Sequence, residues 1–233
     1  MNNEQKVFLI TGASTGIGLA TARQATQAGY RVVLAARSKE KLDAIAADLG
    51  GPDRALAVPC DVGDWDSAKG MVEKTLQAFG RIDVAFANAG GAWGGRYVGG
   101  EDTPREWRQM VMTNVFGAAA TARLTLPELI RNKGHLLLTG SVVGRVSSPN
   151  NFYSATKWAV TGMADSLRKA LVDTGVRVTL VEPGRVDTPF WDKRPEETMV
   201  TADDIARAIL FAVSQPPHVD VNEVLIRPTG QEL

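Results

Sequence analysis

Short apolar runs alternate with longer amphipathic stretches from one end of the chain to the other. The first run is Val7-Phe8-Leu9-Ile10, and glycines follow it at once. An unbroken apolar run of this length is the pattern of a strand buried on both faces of a parallel sheet. Residues 17–29 then read as a helix that stops at Gly29. The alternation continues with a strand Arg31–Ala36, a helix over 39–49 with Ser38 as its N-cap, a strand Ala55–Pro59, a helix over 64–79 and a strand Ile82–Ala87. Farther on, the pattern predicts one long helix over 103–132 with Pro104 in its first turn. A strand His135–Ser141, a helix over 152–174, a strand Val176–Glu182, a helix over 202–214 and a closing strand Val224–Arg227 complete it. The expected fold class is therefore α/β: a doubly wound, seven-stranded parallel sheet with helices on both faces. No linker, repeat or low-complexity stretch breaks the pattern, so residues 1–233 are expected to form a single domain.

One interval stands outside the alternation. Gly90 to Gly100 holds six glycines in eleven positions, with Trp93 and Tyr97 among them. No regular element tolerates that density of glycine, and a mobile loop is expected there.

Composition narrows the function classes. The 233 residues carry 26 basic and 26 acidic side chains, a formal net charge of zero. Nothing in that balance favours nucleic acid or an anionic membrane as a partner. The single cysteine, Cys60, forbids an intramolecular disulfide and suits a reducing compartment. No apolar run approaches the ~20 residues of a membrane span. The segment Met1–Lys6 is polar, which is unlike a signal peptide. A cytoplasmic location is expected. His135 and His218 lack metal-ligand spacing, and no metal site is expected.

Two motifs carry chemistry. The first strand runs into Thr11-Gly12-Ala13-Ser14-Thr15-Gly16-Ile17-Gly18. Glycines at the strand-to-helix turn, spaced G-x3-G-x-G, suit a pyrophosphate cradle: Gly12 allows the tight turn, and Gly16 and Gly18 allow close approach to a helix N-terminus. The segment Gly12, Ser14, Thr15, Gly16, Ile17 and Gly18 is the expected diphosphate contact. No lysine follows the last glycine, so this is not a kinase-type phosphate loop. At the end of the second strand stands Ala35-Ala36-Arg37-Ser38. A carboxylate there would accept from an unphosphorylated ribose; instead Arg37 offers donors to a 2′-phosphate. Arg37 and Ser38 thus predict NADP(H), with NAD(H) as a possible second cofactor. Asp61 and Val62, after the third strand, and Asn88, Ala89 and Gly90, after the fourth, end on the ligand-binding edge of such a sheet.

The second motif is Tyr153 and Lys157, one helical turn apart, twelve residues beyond Ser141. A phenol near pKa ~10 is a poor base at neutral pH, and a neighbouring ammonium is expected to lower that value. Tyr153 would then pass a proton to a carbonyl oxygen or take one from an alcohol, with Ser141 holding that oxygen.

Taken together, these residues make the chain resemble the short-chain dehydrogenase/reductase family in its single-domain form. The resemblance runs nearly end to end through Thr11–Gly18, Asp61, Asn88-Ala89-Gly90, Asn114, Ser141, Tyr153, Lys157, Pro183-Gly184 and Thr188. It implies a Rossmann-like fold and interconversion of a small-molecule ketone or aldehyde with an alcohol. It implies Tyr153 as general acid/base, Ser141 as substrate orienter and Lys157 as ligand of the nicotinamide ribose. Asn114 would hold a proton-relaying water. Pro183, Gly184, Val186 and Thr188 would line the nicotinamide site, and a homotetramer or homodimer would form through helices 103–132 and 152–174. Two departures are visible: Ala87 replaces a frequent asparagine, and the stretch from Thr188 to Thr201, with Phe190, Trp191, Asp192, Lys193 and Arg194, is short for a lid.

Other features keep plain readings. Trp93, Tyr97, Phe190 and Trp191 either shape a substrate pocket or anchor loops. Trp65, Trp107 and Trp158 are packing or subunit contacts. Two rival functions stay open at this point: a non-catalytic dinucleotide-binding regulator, and a lyase or epimerase that retains its cofactor on the same fold.

Overall fold

The computed structural model describes residues 5–191 and 193–232. The expectations for Met1–Glu4 and for Asp192 lie outside the described residues.

The elements run β1 (Val7–Thr11), α1 (Gly16–Gln27), β2 (Arg31–Ala36), α2 (Lys39–Asp48), β3 (Ala55–Pro59), α3 (Trp65–Phe79) and β4 (Val84–Ala87). They continue with α4 (Pro104–Val111), a π-helical turn at Met112–Phe116, α5 (Gly117–Asn132), β5 (His135–Thr139), a 3₁₀ turn at Val142–Gly144 and α6 (Phe152–Ala170). The chain closes through β6 (Arg177–Pro183), β7 (Val186–Asp187), β8 (Val200–Thr201), α7 (Ala202–Ser214) and β9 (Glu223–Ile226). Seven strands form one parallel sheet in the order β3-β2-β1-β4-β5-β6-β9. The winding reverses between β1 and β4, so the two halves of the sheet leave a crevice above their carboxyl ends.

Strand side chains alternate between two apolar layers, as period-two geometry requires. Val7 and Leu9 of β1 join Val33, Ala85, Leu136 and Leu138 against Met71, Ala122, Leu129 and Val160 of α3, α5 and α6. Phe8 and Ile10 join Val32, Leu34, Phe86 and Leu137 against Ala22, Leu42, Ile205 and Ile209 of α1, α2 and α7.

Four features differ from expectation. The long helix is broken by the π-turn at Met112–Phe116, one of the short inserts that re-aim a residue at functional sites. Helix α6 stops at Ala170, because the chain then turns through Asp173 at φ 69° and Gly175 at φ 79°. A small second sheet, β7 with β8, pairs Val186 with Val200 and Asp187 with Thr201. The expected N-cap Ser38 occupies that position but makes no capping bond, so its hydroxyl is not spent on α2.

His135, at the start of β5, is buried, and burial lowers its pKa to about 3. Its Nε2 lies 2.7 Å from Thr179 Oγ1, and that hydroxyl donates to the Val221 carbonyl. The hydroxyl must therefore accept from Nε2, which leaves Nδ1 unprotonated and without a partner. Protonation would bury an uncompensated charge. The unfolded chain takes up a proton below pH ~6.5 that the folded chain refuses, so stability falls as pH drops from there toward about 3. Between pH 7 and pH 5 this group should cost about 2 kcal/mol in urea unfolding. His135→Gln should remove that part of the acid sensitivity.

Candidate active site

The carboxyl ends of β1, β4, β5 and β6 gather the predicted site residues at one edge. Gly12 leaves β1 with φ 66° and Gly16 opens α1 with φ 54°, both in the left-handed region. A Cβ on Gly18 would lie 2.4 Å from the Gly12 carbonyl oxygen, and one on Gly12 would lie 2.9 Å from Ala89 Cα. The turn is thus closed against its neighbours by missing side chains, and it leaves the first amides of α1 free for a diphosphate. Thr188 stands over this helix end, 3.2 Å from where a Cβ of Gly16 would be.

Asn88 braces the cradle. Its Nδ2 donates to the Thr11 carbonyl at 2.9 Å, and its Oδ1 accepts from Thr139 Oγ1 at 3.2 Å. Thr11 Oγ1 in turn accepts from the amides of Asn88 and Ala89. The Asn88 side chain is therefore committed to strand ends. One Asp61 oxygen accepts from Gly63 N, while Val62 packs beside Gly117 of α5. Arg37 is exposed after β2, with no ion-pair partner among the described residues.

Ser141, Tyr153 and Lys157 do come together. Ser141 caps the 3₁₀ turn, its Oγ accepting from Val143 N, and its hydroxyl stands near enough to the Tyr153 phenol to pull that group's pKa down. Lys157 is 3 % exposed, and its Nζ donates to the Thr139 carbonyl at 2.8 Å, 5.5 Å from the centre of the Tyr153 ring. Burial lowers its pKa to about 8, which keeps it charged at neutral pH. For Tyr153 the expectation reverses. Burial holds the phenol above its ordinary value, and only the Ser141 hydroxyl pulls it down. Spacing along a helix missed this because it reports the nearby charge and not the desolvation.

Asn114 sits in the π-turn. Its Oδ1 accepts from Gly91 N and its Nδ2 donates to the Gly91 carbonyl, both at 2.9 Å, and Nδ2 also reaches Thr156 Oγ1. The side chain is spent on a clamp that joins the Gly91 segment to helix α6. Pro183 ends β6, and a Cβ on Gly184 would meet Gln231 Oε1 at 2.4 Å. Val186 accepts at its carbonyl from Trp191 Nε1.

The glycine-rich interval is tied down rather than loose. Asp102 accepts from the amides of Gly95 and Arg96, Asn150 clamps both backbone groups of Val98, and Phe152 N donates to the Gly95 carbonyl. Tyr97, Trp107 and Phe152 pack ring against ring over it. On the other flank, Phe190 lies 5.7 Å from Tyr153, ring centre to ring centre, and Trp191 packs edge-on against Phe190. No helix forms between β7 and β8 among the described residues.

Residues 6–198 match the family model for short chain dehydrogenases. The chain belongs to the short-chain dehydrogenase family. As such, it is 36% identical over 229 residues to an uncharacterized oxidoreductase of Staphylococcus epidermidis, covering 97% of this chain and 98% of that one. It is similar to the alcohol dehydrogenase of the archaeon Thermococcus sibiricus in complex with 5-hydroxy-NADP, with TM-score 0.91 and 33% identity over 99% of both chains. It is similar also to 3-ketoacyl-(acyl-carrier-protein) reductase from Brucella melitensis in complex with NADH, with TM-score 0.86 and 28% identity over 96% of this chain and 97% of that one. This short-chain dehydrogenase accordingly has a fold that takes a nicotinamide dinucleotide, and the cradle above fits one.

One residue pair was not foreseen. Glu182, at the end of an apolar strand, is fully buried and bound by Arg145. The sequence signal was a lone carboxylate in Val-Thr-Leu-Val-Glu-Pro.

The cradle makes a sharp contrast between two helical glycines. Gly18→Ala should cost about 3 kcal/mol in urea unfolding, since its Cβ would strike backbone, and should abolish dinucleotide binding. Gly70→Ala, in open space within α3, should stabilise by about 0.5–1 kcal/mol and leave binding intact.

Proposed function

We propose that this protein is an NADP(H)-dependent oxidoreductase that interconverts a ketone or aldehyde with the corresponding alcohol, with residues 1–233 acting as one domain. The observation that carries the reading is the gathering of the Ser141 and Tyr153 hydroxyls beside the buried Lys157, on the edge that holds the glycine cradle. Gly12, Ser14, Thr15, Gly16, Ile17 and Gly18 would hold the diphosphate. Arg37 and Ser38 would hold the 2′-phosphate, and Asp61 and Val62 the adenine. The backbone of Asn88, Ala89 and Gly90, together with Lys157, would take the nicotinamide ribose, and Pro183, Gly184, Val186 and Thr188 the nicotinamide. Bound there, the dinucleotide supplies a hydride to the carbonyl carbon or removes one from the alcohol.

The protein residues do the rest. A carbonyl oxygen placed between Ser141 and Tyr153 accepts from both hydroxyls. Tyr153 begins as a neutral phenol, since burial raises its pKa, so it is a proton donor poised for reduction. It gives its proton to the oxygen as negative charge develops there. The Lys157 ammonium, 5.5 Å from the ring, stabilises the phenolate left behind. Phe190 and Trp191 flank this point with aromatic surface, which suits a carbonyl compound with an apolar or aromatic substituent. Exposed Val111, Ile130 and Trp158 mark the helix faces through which copies of the chain would assemble into a dimer or tetramer.

Absorbance of the reduced dinucleotide, followed over a panel of ketones, aldehydes and keto acids, tests the reading. Tyr153→Phe should lower kcat by about 10²–10⁴-fold while dinucleotide still binds. Full activity in that variant would rule out Tyr153 as the acid. Cofactor choice is read separately by titrating both reduced dinucleotides. NADPH should bind more tightly than NADH, and Arg37→Ala should weaken NADPH by about 10- to 100-fold with little change for NADH. Equal affinities in the wild type would refute the preference.

A further inference from the structure

Three separate pieces of chain must keep register for the chemistry proposed above: the turn that carries Ser141, helix α6 with Tyr153 and Lys157, and the end of β6 at Pro183-Gly184. The first two are joined closely. Ser154 Oγ donates to the Val143 carbonyl at 2.6 Å, Thr161 Oγ1 donates to the Gly144 carbonyl at 3.1 Å, and a Cβ on Gly144 would lie 2.9 Å from the Lys157 carbonyl oxygen. The third piece is joined to the turn through one side chain in particular. Arg145 Nε lies 2.8 and 2.7 Å from the two carboxylate oxygens of Glu182, and the same guanidinium pairs with Glu223 of β9.

Glu182 has no exposed side-chain surface. Burial pushes its pKa up, and Arg145 counters that rise by hydrogen bond and charge. For stability alone this is a poor arrangement. Apolar side chains of similar volume commonly hold a fold as well as a buried ion pair, or better. What an ion pair adds is geometric strictness: an apolar contact slides, whereas a guanidinium and a carboxylate hold a set distance and angle. Arg145 follows the Ser141 turn directly, and Glu182 precedes Pro183 directly.

We propose that Arg145 and Glu182 are positioning residues for the reaction. They fix the Ser141 hydroxyl relative to the strand end that faces the nicotinamide, so that the carbonyl is held at hydride-transfer distance. The proposal rests on the reductase reading above.

The test uses the full-length protein and four variants: Glu182→Gln, Arg145→Met, Arg145→Lys and the double variant Arg145→Met/Glu182→Leu. Three quantities are read. These are kcat and KM with NADPH and a carbonyl that the wild type turns over, NADPH affinity by tryptophan fluorescence, and amide hydrogen exchange across residues 140–147. Misplacement of a positioned group by about an ångström costs rate on the order of a hundredfold. Glu182→Gln and Arg145→Met should therefore lower kcat by about 10- to 100-fold, with KM and NADPH affinity within about threefold of wild type. Exchange should quicken in 140–147 and stay unchanged in β1 and α1. Arg145→Lys should recover part of the rate.

The double variant separates position from stability. It should unfold at the same urea concentration as wild type or higher, yet remain slow. Recovery of wild-type kcat in that variant would overturn the proposal, as would single variants with undiminished kcat. If the wild type reduces no carbonyl with either dinucleotide, the reductase reading fails by itself. Hydrogen exchange then decides the pair: a rise confined to 140–147 sustains the positioning role, and an unchanged pattern overturns it.

Discussion

The amide of Asn88 bridges three strand ends at the point where the winding of the sheet reverses. It donates to the last residue of β1 and accepts from the last residue of β5, while Asn88 itself directly follows β4. Thr139, which donates to it, offers its carbonyl to Lys157. A hydrogen-bonded path therefore runs from the glycine cradle at Thr11 to the ammonium beside Tyr153. In a doubly wound sheet the crevice at the switch point is created by topology, but topology alone leaves the strand ends free to fray. Asn88 and Thr139 convert that crevice into a fixed frame, on which the cradle and the Tyr153–Lys157 pair share one reference.

Electrostatics in this frame follow from dryness. Lys157 is buried and Tyr153 half-buried, and each is pushed toward its neutral form: the lysine downward to about 8, the phenol upward. The two neutral tendencies oppose one another once a proton leaves the phenol, because the phenolate and the ammonium then stabilise each other. In the proton transfer proposed above, such a site would resist charge separation at rest and reward it as the proton moves. That asymmetry is what differential stabilisation of a transition state requires.

Much of this was legible in the sequence, and what was not has physical reasons. All seven strands of the main sheet are visible as apolar runs, most plainly β1, which is buried on both faces and leaves no polar interruption before Thr11. The glycines at 12, 16 and 18 are visible because their spacing serves a turn. The π-turn around Asn114 is invisible, since an inserted residue leaves helical periodicity nearly intact over so short a stretch. The β7–β8 pair is invisible because two residues make no pattern. The glycine-rich interval misled in the direction of mobility: its restraint comes from Asp102, Asn150 and Phe152, which lie outside the interval itself. Arg145 and Glu182 are 37 positions apart, and only the sheet brings them together.

The β7–β8 pair has a consequence for how such a molecule can change. It closes the excursion from Thr188 to Met199 at its base with two parallel residue pairs, and that excursion hangs beside Tyr153 through Phe190. The entropy of closing a loop rises only with the logarithm of its length. Residues could be inserted or deleted between Trp191 and Met199 at small cost to folding, while Thr188 over the cradle and Phe190 beside Tyr153 keep their places. On the proposed reading, that stretch of the excursion would be a replaceable cassette, where a change of substrate need not redesign the residues beneath it.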